Sequence, residues 1–189
     1  MSRQELNFTI RGVSPLLMHN GQLANPLNEW ARQMKTVSGK RPKTDADYEE
    51  LSRLEWYGSL YLKDGLPCIP GEVLEAALVE GARKKRLGKL FTAGVLCPDS
   101  YALHFDGDGL SLDEMWEGGE HCLVTGVRIQ RARIMRTRPQ FKNWWADIPI
   151  SFEDGTLNES QVRDILPLTG EVIGLLDWRP RFGRFTVDE

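Results

Sequence analysis

The chain has 189 residues, 41% of them apolar, and a formal net charge of −3. That is enough for one respectable core and favours a single domain over residues 1–189. It argues against a uniformly basic coat protein. No apolar run approaches the roughly 18 residues that span a bilayer, so no membrane partner is expected. The charges are segregated: between Asp99 and Glu120 every charged side chain is acidic, and between Val127 and Trp145 every one is Lys or Arg. Such a split points to two faces, one for a polyanion and one for solvent or a neighbouring copy. Cys68, Cys97 and Cys122 form no CxxC pair, which supports neither a disulfide framework nor a zinc site. With no secretory leader at the start, a cytoplasmic protein without metal or cofactor is expected.

Leu6, Phe8 and Ile10 alternate with polar residues, the period of a half-buried strand, which Pro15 ends and Asn20-Gly21 turns. His19 stands at that strand end, where a general acid or base could act, although a lone histidine is more often structural. Asn25-Pro26 has the form of an N-cap and first helical residue, with Leu27, Trp30, Ala31 and Met34 on one face. Residues 35–44 are polar and basic and suit a loop able to close over a bound strand. A second helical pattern runs from Asp45 to Tyr57. Residues 20–64 are thus expected to be an insertion.

Leu60–Leu62 is a short expected strand. Ile69-Pro70-Gly71 opens a helix through Leu74, Ala77, Leu78 and Ala82, with Gly88 as its stop. The basic run from Arg83 to Arg86 complements the dipole at that helix end at least as well as it would serve a phosphate. Tyr101, Leu103 and Phe105 alternate into Asp106-Gly107-Asp108-Gly109. That turn starts like a calcium loop but lacks the later oxygen ligands and flanking helices.

From Val127 and Ile129 the apolar set changes parity to Ala132 and Ile134, which predicts one long strand with a bulge near Gln130 or Arg131. Arg128, Arg131, Arg133, Arg136 and Arg138 fall on it, followed by Lys142, Trp144 and Trp145. This basic-plus-aromatic mixture is what single-stranded nucleic-acid surfaces use to track phosphates and stack bases, though some of these aromatics can equally be core. Ala146, Ile148, Ile150 and Phe152 form a further strand. Asn158 with Gln161 caps a last helix expected to reach Leu176. Trp178, Arg179, Arg181 and Arg184 then occupy a loop stiffened by Pro180 before a final strand through Phe185 and Val187. Arginine there offers planar, permanently charged donors for phosphate.

Without the insertion the order is strand, helix, strand, strand, helix, strand. The expected fold is α+β, a ferredoxin-like or RNA-recognition-type antiparallel sheet with two helices on one face. With Ile69-Pro70-Gly71 opening the first core helix and Gly170 to Phe185 between the last helix and last strand, the chain resembles the RAMP superfamily of CRISPR-associated proteins. Trp178, Arg179, Pro180 and Arg181 stand where that family usually has glycines. The insertion looks like the thumb-like insertions of crRNA-coating backbone subunits, and a solitary version from a mobile element or phage fits as well.

The resemblance implies a non-catalytic protein that coats single-stranded nucleic acid, RNA ahead of DNA, as a repeated homo-oligomeric subunit. The competing class is a metal-independent endoribonuclease of the same superfamily using His19. Binding is preferred because no second catalytic group accompanies His19 at a recognisable spacing. A protein-interaction module without nucleic acid is a weaker third possibility, kept open by the acidic stretch.

Overall fold

A computed structural model describes residues 2–129 and 132–188. Among the described residues the strands are β1 (Arg3–Gly12), β2 (Leu16–Leu17), β3 (Leu62–Lys63), β4 (Leu66–Pro70), β5 (Val95–Leu96), β6 (Ser100–Ala102), β7 (Cys122–Ile129), β8 (Ala132–Phe141), β9 (Trp145–Glu153) and β10 (Phe185–Asp188). The helices are α1 (Glu29–Gly39), α2 (Asp45–Ser59), α3 (Gly71–Lys84), α4 (Gly88–Gly94), α5 (Leu112–Gly118) and α6 (Glu159–Val172). The molecule is α+β with antiparallel sheets. It divides into two compact units: Met1–Leu16, Leu62–Asp108 and Phe141–Glu189 in the first, Leu17–Tyr61 and Gly109–Gln140 in the second.

The main sheet of the first unit has the order β10-β1-β9-β5. Its register places Leu6 opposite Ile150, Phe8 opposite Ile148 and Ile10 opposite Ala146. Because side chains alternate along a strand, these residues share one face, and Phe8, Ile10, Ala146, Ile148 and Ile150 are all buried. The helix α6 covers that face: it packs against β10 and α3, and the Arg163 guanidinium lies 5.6 Å from the centre of the Phe8 ring. The other face carries Thr9, Arg11 and Asp147, and His104 covers its Trp145 end. At the start of α3, a Cβ on Gly71 would sit 2.0 Å from the Cys97 carbonyl oxygen, so only glycine lets the helix begin there.

Several boundaries differ from the sequence reading: α1 runs on through Gly39, so that only 40–44 of the expected loop is non-helical, and three others differ for a local reason. The helix α3 stops at Lys84 instead of Gly88, because Arg86 turns the chain at φ +61° and Gly88 opens α4. The helix α6 carries the expected Asn158–Gln161 capping box, with Pro167 inside it. It ends at Val172, short of Leu176, because Gly174 takes φ +76° and redirects the chain. In the second unit α1 starts at Glu29. Asn28 accepts from the Trp30 and Ala31 amides, whereas Asn25 holds only a turn through Leu27 N.

The second unit gathers Leu17, Met18, Leu54, Trp56, Leu60 and Met115 in its interior. Trp56 donates its indole N–H to the His121 carbonyl at 2.8 Å, which satisfies the polar atom of a fully buried ring. A reciprocal Thr44–Asp47 cap starts α2, and a Ser111–Glu114 cap starts α5. The expected single bulged strand is instead two antiparallel strands, β7 and β8, with Ile129 paired to Ala132. The bulge positions Gln130 and Arg131 lie outside the described residues. A change of apolar parity is produced equally by a reversal of the chain, and here the reversal is the cause.

Candidate nucleic-acid interface

The loop between α6 and β10 is built around backbone pairing. Leu175 N donates to Gly183 O at 2.9 Å, Gly183 N to Pro15 O at 2.9 Å, and Phe182 N to Trp178 O at 3.2 Å. Gly183 holds φ +73°, and a Cβ there would meet the Leu175 carbonyl oxygen at 2.0 Å. Any side chain at 183 would therefore open the loop. Leu175 anchors it from below, fully buried.

On this frame Trp178 stays 39% exposed and stacks on Phe182 with centroids 5.9 Å apart and planes at 28°. The Arg181 guanidinium lies 5.9 Å from the Phe182 ring centre, and Arg181 has no acidic partner among the described residues. Arg184 donates through Nε to Pro180 O at 2.8 Å. Arg179 meets Glu80 at 3.4 Å with both side chains well exposed, a contact of the kind that contributes little and that a phosphate can displace. The loop thus presents three cations beside a stack of an exposed Trp178 on a half-buried Phe182.

Arg184 leads into β10, and Val13 N donates to its carbonyl at 2.8 Å. One step along, Thr186, Arg11 and Trp145 lie in one row across three strands. The Arg11 guanidinium is 5.7 Å from the centre of the Trp145 ring and pairs with Asp188. His104 stacks on Trp145 at 3.9 Å and 15°, and its Nδ1 lies 3.0 Å from Asp108. Arg11 and His104 escape a sequence reading because they sit alone in polar strand and turn segments. Only the register brings them to Trp145.

The other expected basic element lies in the second unit. Its register sets Arg128 directly opposite Arg133, both exposed. Arg136 and Arg138 belong to the alternate parity and serve structure: Glu55 is buried and accepts from Arg138 Nη1 at 2.7 Å, Arg136 Nη1 at 3.3 Å and Thr137 N at 2.9 Å. Arg138 is only 8% exposed, so it is withdrawn from any phosphate surface, a correction to the sequence expectation. Arg131 lies outside the described residues.

A second correction concerns Trp144, at 1% exposure with its indole N–H on Ser14 O at 2.9 Å. It is a core residue and cannot stack on a base. Lys142 is exposed on the bend between β8 and β9. His19 is exposed, and its backbone carbonyl accepts from the Tyr61 hydroxyl at 3.4 Å. Burial pushes the Cys97 thiol up to about 12 and raises that of Cys68, so both stay protonated and unreactive. No protein-family model and no curated protein sequence matches the chain.

Proposed function

We propose that the protein is a non-catalytic, RAMP-like subunit that binds single-stranded nucleic acid, RNA in preference to DNA, and coats it as a repeated copy in the cytoplasm. The observation that carries this is the loop of Trp178 to Arg184, where an exposed Trp178, stacked on Phe182, sits among Arg179, Arg181 and Arg184. Bases have aromatic faces and the backbone has phosphates at regular intervals. Exposed aromatics interleaved with guanidinium groups match both without needing a sequence. The pinned loop loses little freedom on binding.

The strand order supports the ferredoxin-like reading. Taking β1, β5, β9 and β10 as the four core strands, with α3 and α6 as the two crossovers, the sheet runs fourth, first, third, second. Exposed Arg11, next in the row to the half-buried Trp145, then extends the basic surface of the loop, and Lys142, Arg128 and Arg133 are further basic positions. His19 has no assigned catalytic role.

The test is direct. Purified protein is examined for co-purifying nucleic acid by absorbance ratio and nuclease sensitivity, then titrated with labelled single strands by fluorescence anisotropy. RNase-sensitive absorbance and submicromolar binding of single-stranded RNA are expected. Absence of binding at low salt would refute the reading. Metal-independent cleavage at one position, lost in His19→Ala, would replace it with the endoribonuclease reading.

A further inference from the structure

A groove of about 870 Å³ opens in the second unit, and its apolar lining includes Met34, Leu51, Trp116, Val124, Ile134 and Met135. The apolar residues are poorly covered: Met135 is 60% exposed, Val124 53% and Ile134 38%. On its helical side, no residue of α1 is fully buried. Exposed apolar surface gathered into one groove marks an interaction site.

What kind of partner fits follows from the backbone of β8. In an antiparallel ladder each residue points its N–H and C=O either toward the partner strand or away from it, in alternation. Thr137 N bonds Glu55 and Pro139 O accepts from Met18 N at 3.1 Å, so the odd-numbered residues of β8 face away from β7. By the same parity Arg133 and Met135 direct their backbone groups outward. Among the described residues the only strand on that side, β2, is two residues long and lies at the Pro139 end. Five consecutive residues, Arg133 to Thr137, line the groove, as happens when a strand presents its edge to a cavity. The edge at Arg133–Met135 is therefore open and lies along an apolar trough.

The charges in the lining narrow the choice. Lys35, Arg133 and Arg136 are the cations and Glu49 and Glu55 the acids. Glu55 is already held by Arg138 and Arg136, so the exposed surplus is positive. We infer that this groove takes an extended acidic segment of a partner protein by strand addition. The segment pairs with the backbone of Arg133 and Met135, seats alternate apolar side chains in the trough beside Met135, and is drawn in by the positive surplus of Lys35 and Arg133. A helix or a small molecule would leave the open edge unpaired. The groove shares no residue with the loop of Trp178.

The experiment uses the full chain and a labelled peptide of about ten residues alternating valine with glutamate, followed by fluorescence anisotropy. Its lysine counterpart and a copy N-methylated at alternate residues are the controls. The acidic peptide is expected to bind at least about tenfold more tightly than either. Met135→Pro removes an outward N–H that β7 does not use, so the strand tolerates it, and peptide binding should fall at least about tenfold. Met135→Glu, which keeps the backbone but spoils the trough, serves if the proline variant does not fold. Equal binding of the N-methylated or lysine peptide would overturn the inference, as would binding unchanged in both Met135 variants. Concentration-dependent self-association lost in Met135→Glu would assign the groove to a second copy, and loss of single-strand binding in that variant would assign it to nucleic acid. Either result overturns the acidic-partner reading.

Discussion

Arg138 Nη1 donates to Glu55 Oε1 at 2.7 Å with both side chains buried, and the same carboxylate takes the Thr137 amide at 2.9 Å. The helix α2 is thereby fastened to β8 through one charged atom group. Such a pair gains little net stability when whole, because both charges had to leave water, but breaking it strands a buried charge. Glu55→Ala is expected to destabilise the fold by about 3–5 kcal/mol. Arg136→Ala should cost clearly less, since Arg136 is the more exposed and longer contact. Urea titrations of the two variants check the order, and an equal effect would mean that Arg138 finds another partner.

Asp47 lies at the start of α2, where hydrogen bonds from Lys40 and Thr44 hold its carboxyl down at about 2. An unfolded aspartate titrates near 3.9. Because the folded value is the lower one, the carboxylate stabilises the fold fully above pH about 4 and loses that contribution as pH falls toward 2. Asp47→Asn should therefore melt below the wild type at pH 7, with the gap closing between pH about 4 and 2. Thermal melts across that range read it directly. A gap that stays constant with pH would show that the cap geometry matters and the charge does not.

Trp144 and Trp178 separate packing from recognition. Trp144→Ala should cost about 3–5 kcal/mol of stability, as for other large buried aromatics. Trp178→Ala should leave the melting temperature nearly unchanged but weaken single-strand binding by about 1–3 kcal/mol, the worth of one stacked base. If Trp178→Ala lowers stability without touching affinity in the remaining folded protein, the loop aromatics are structural.

Much of the first unit could be read from the chain because its signals are local. Leu6–Ile10 and Ala146–Phe152 alternate cleanly, and Asn158 with Gln161 caps α6 by spacing alone. The β7–β8 pair escapes a sequence reading because two antiparallel strands and one bulged strand produce the same parity change between Ile129 and Ala132. The roles of Arg138 and Trp144 were illegible for another reason. Whether an arginine or tryptophan faces solvent depends on a partner far along the chain, Glu55 in one case and Ser14 in the other. Arg11, Trp145 and His104 likewise meet only through strand register.

The most direct test is salt dependence in paired variants. Each phosphate neutralised on a single strand contributes about −0.7 to the slope of log affinity against log salt. Arg179→Ala with Arg181→Ala should flatten the slope by about 1.4 relative to the wild type. Each lost charge-assisted contact should cost about 1.5–3 kcal/mol at fixed salt, while the melt stays unchanged because both side chains are exposed. Arg128→Ala with Arg133→Ala should have a smaller effect. A slope unaltered by the loop double variant, or a larger loss from the β7–β8 pair, in folded proteins, would contradict the assignment of the loop as the phosphate-binding surface.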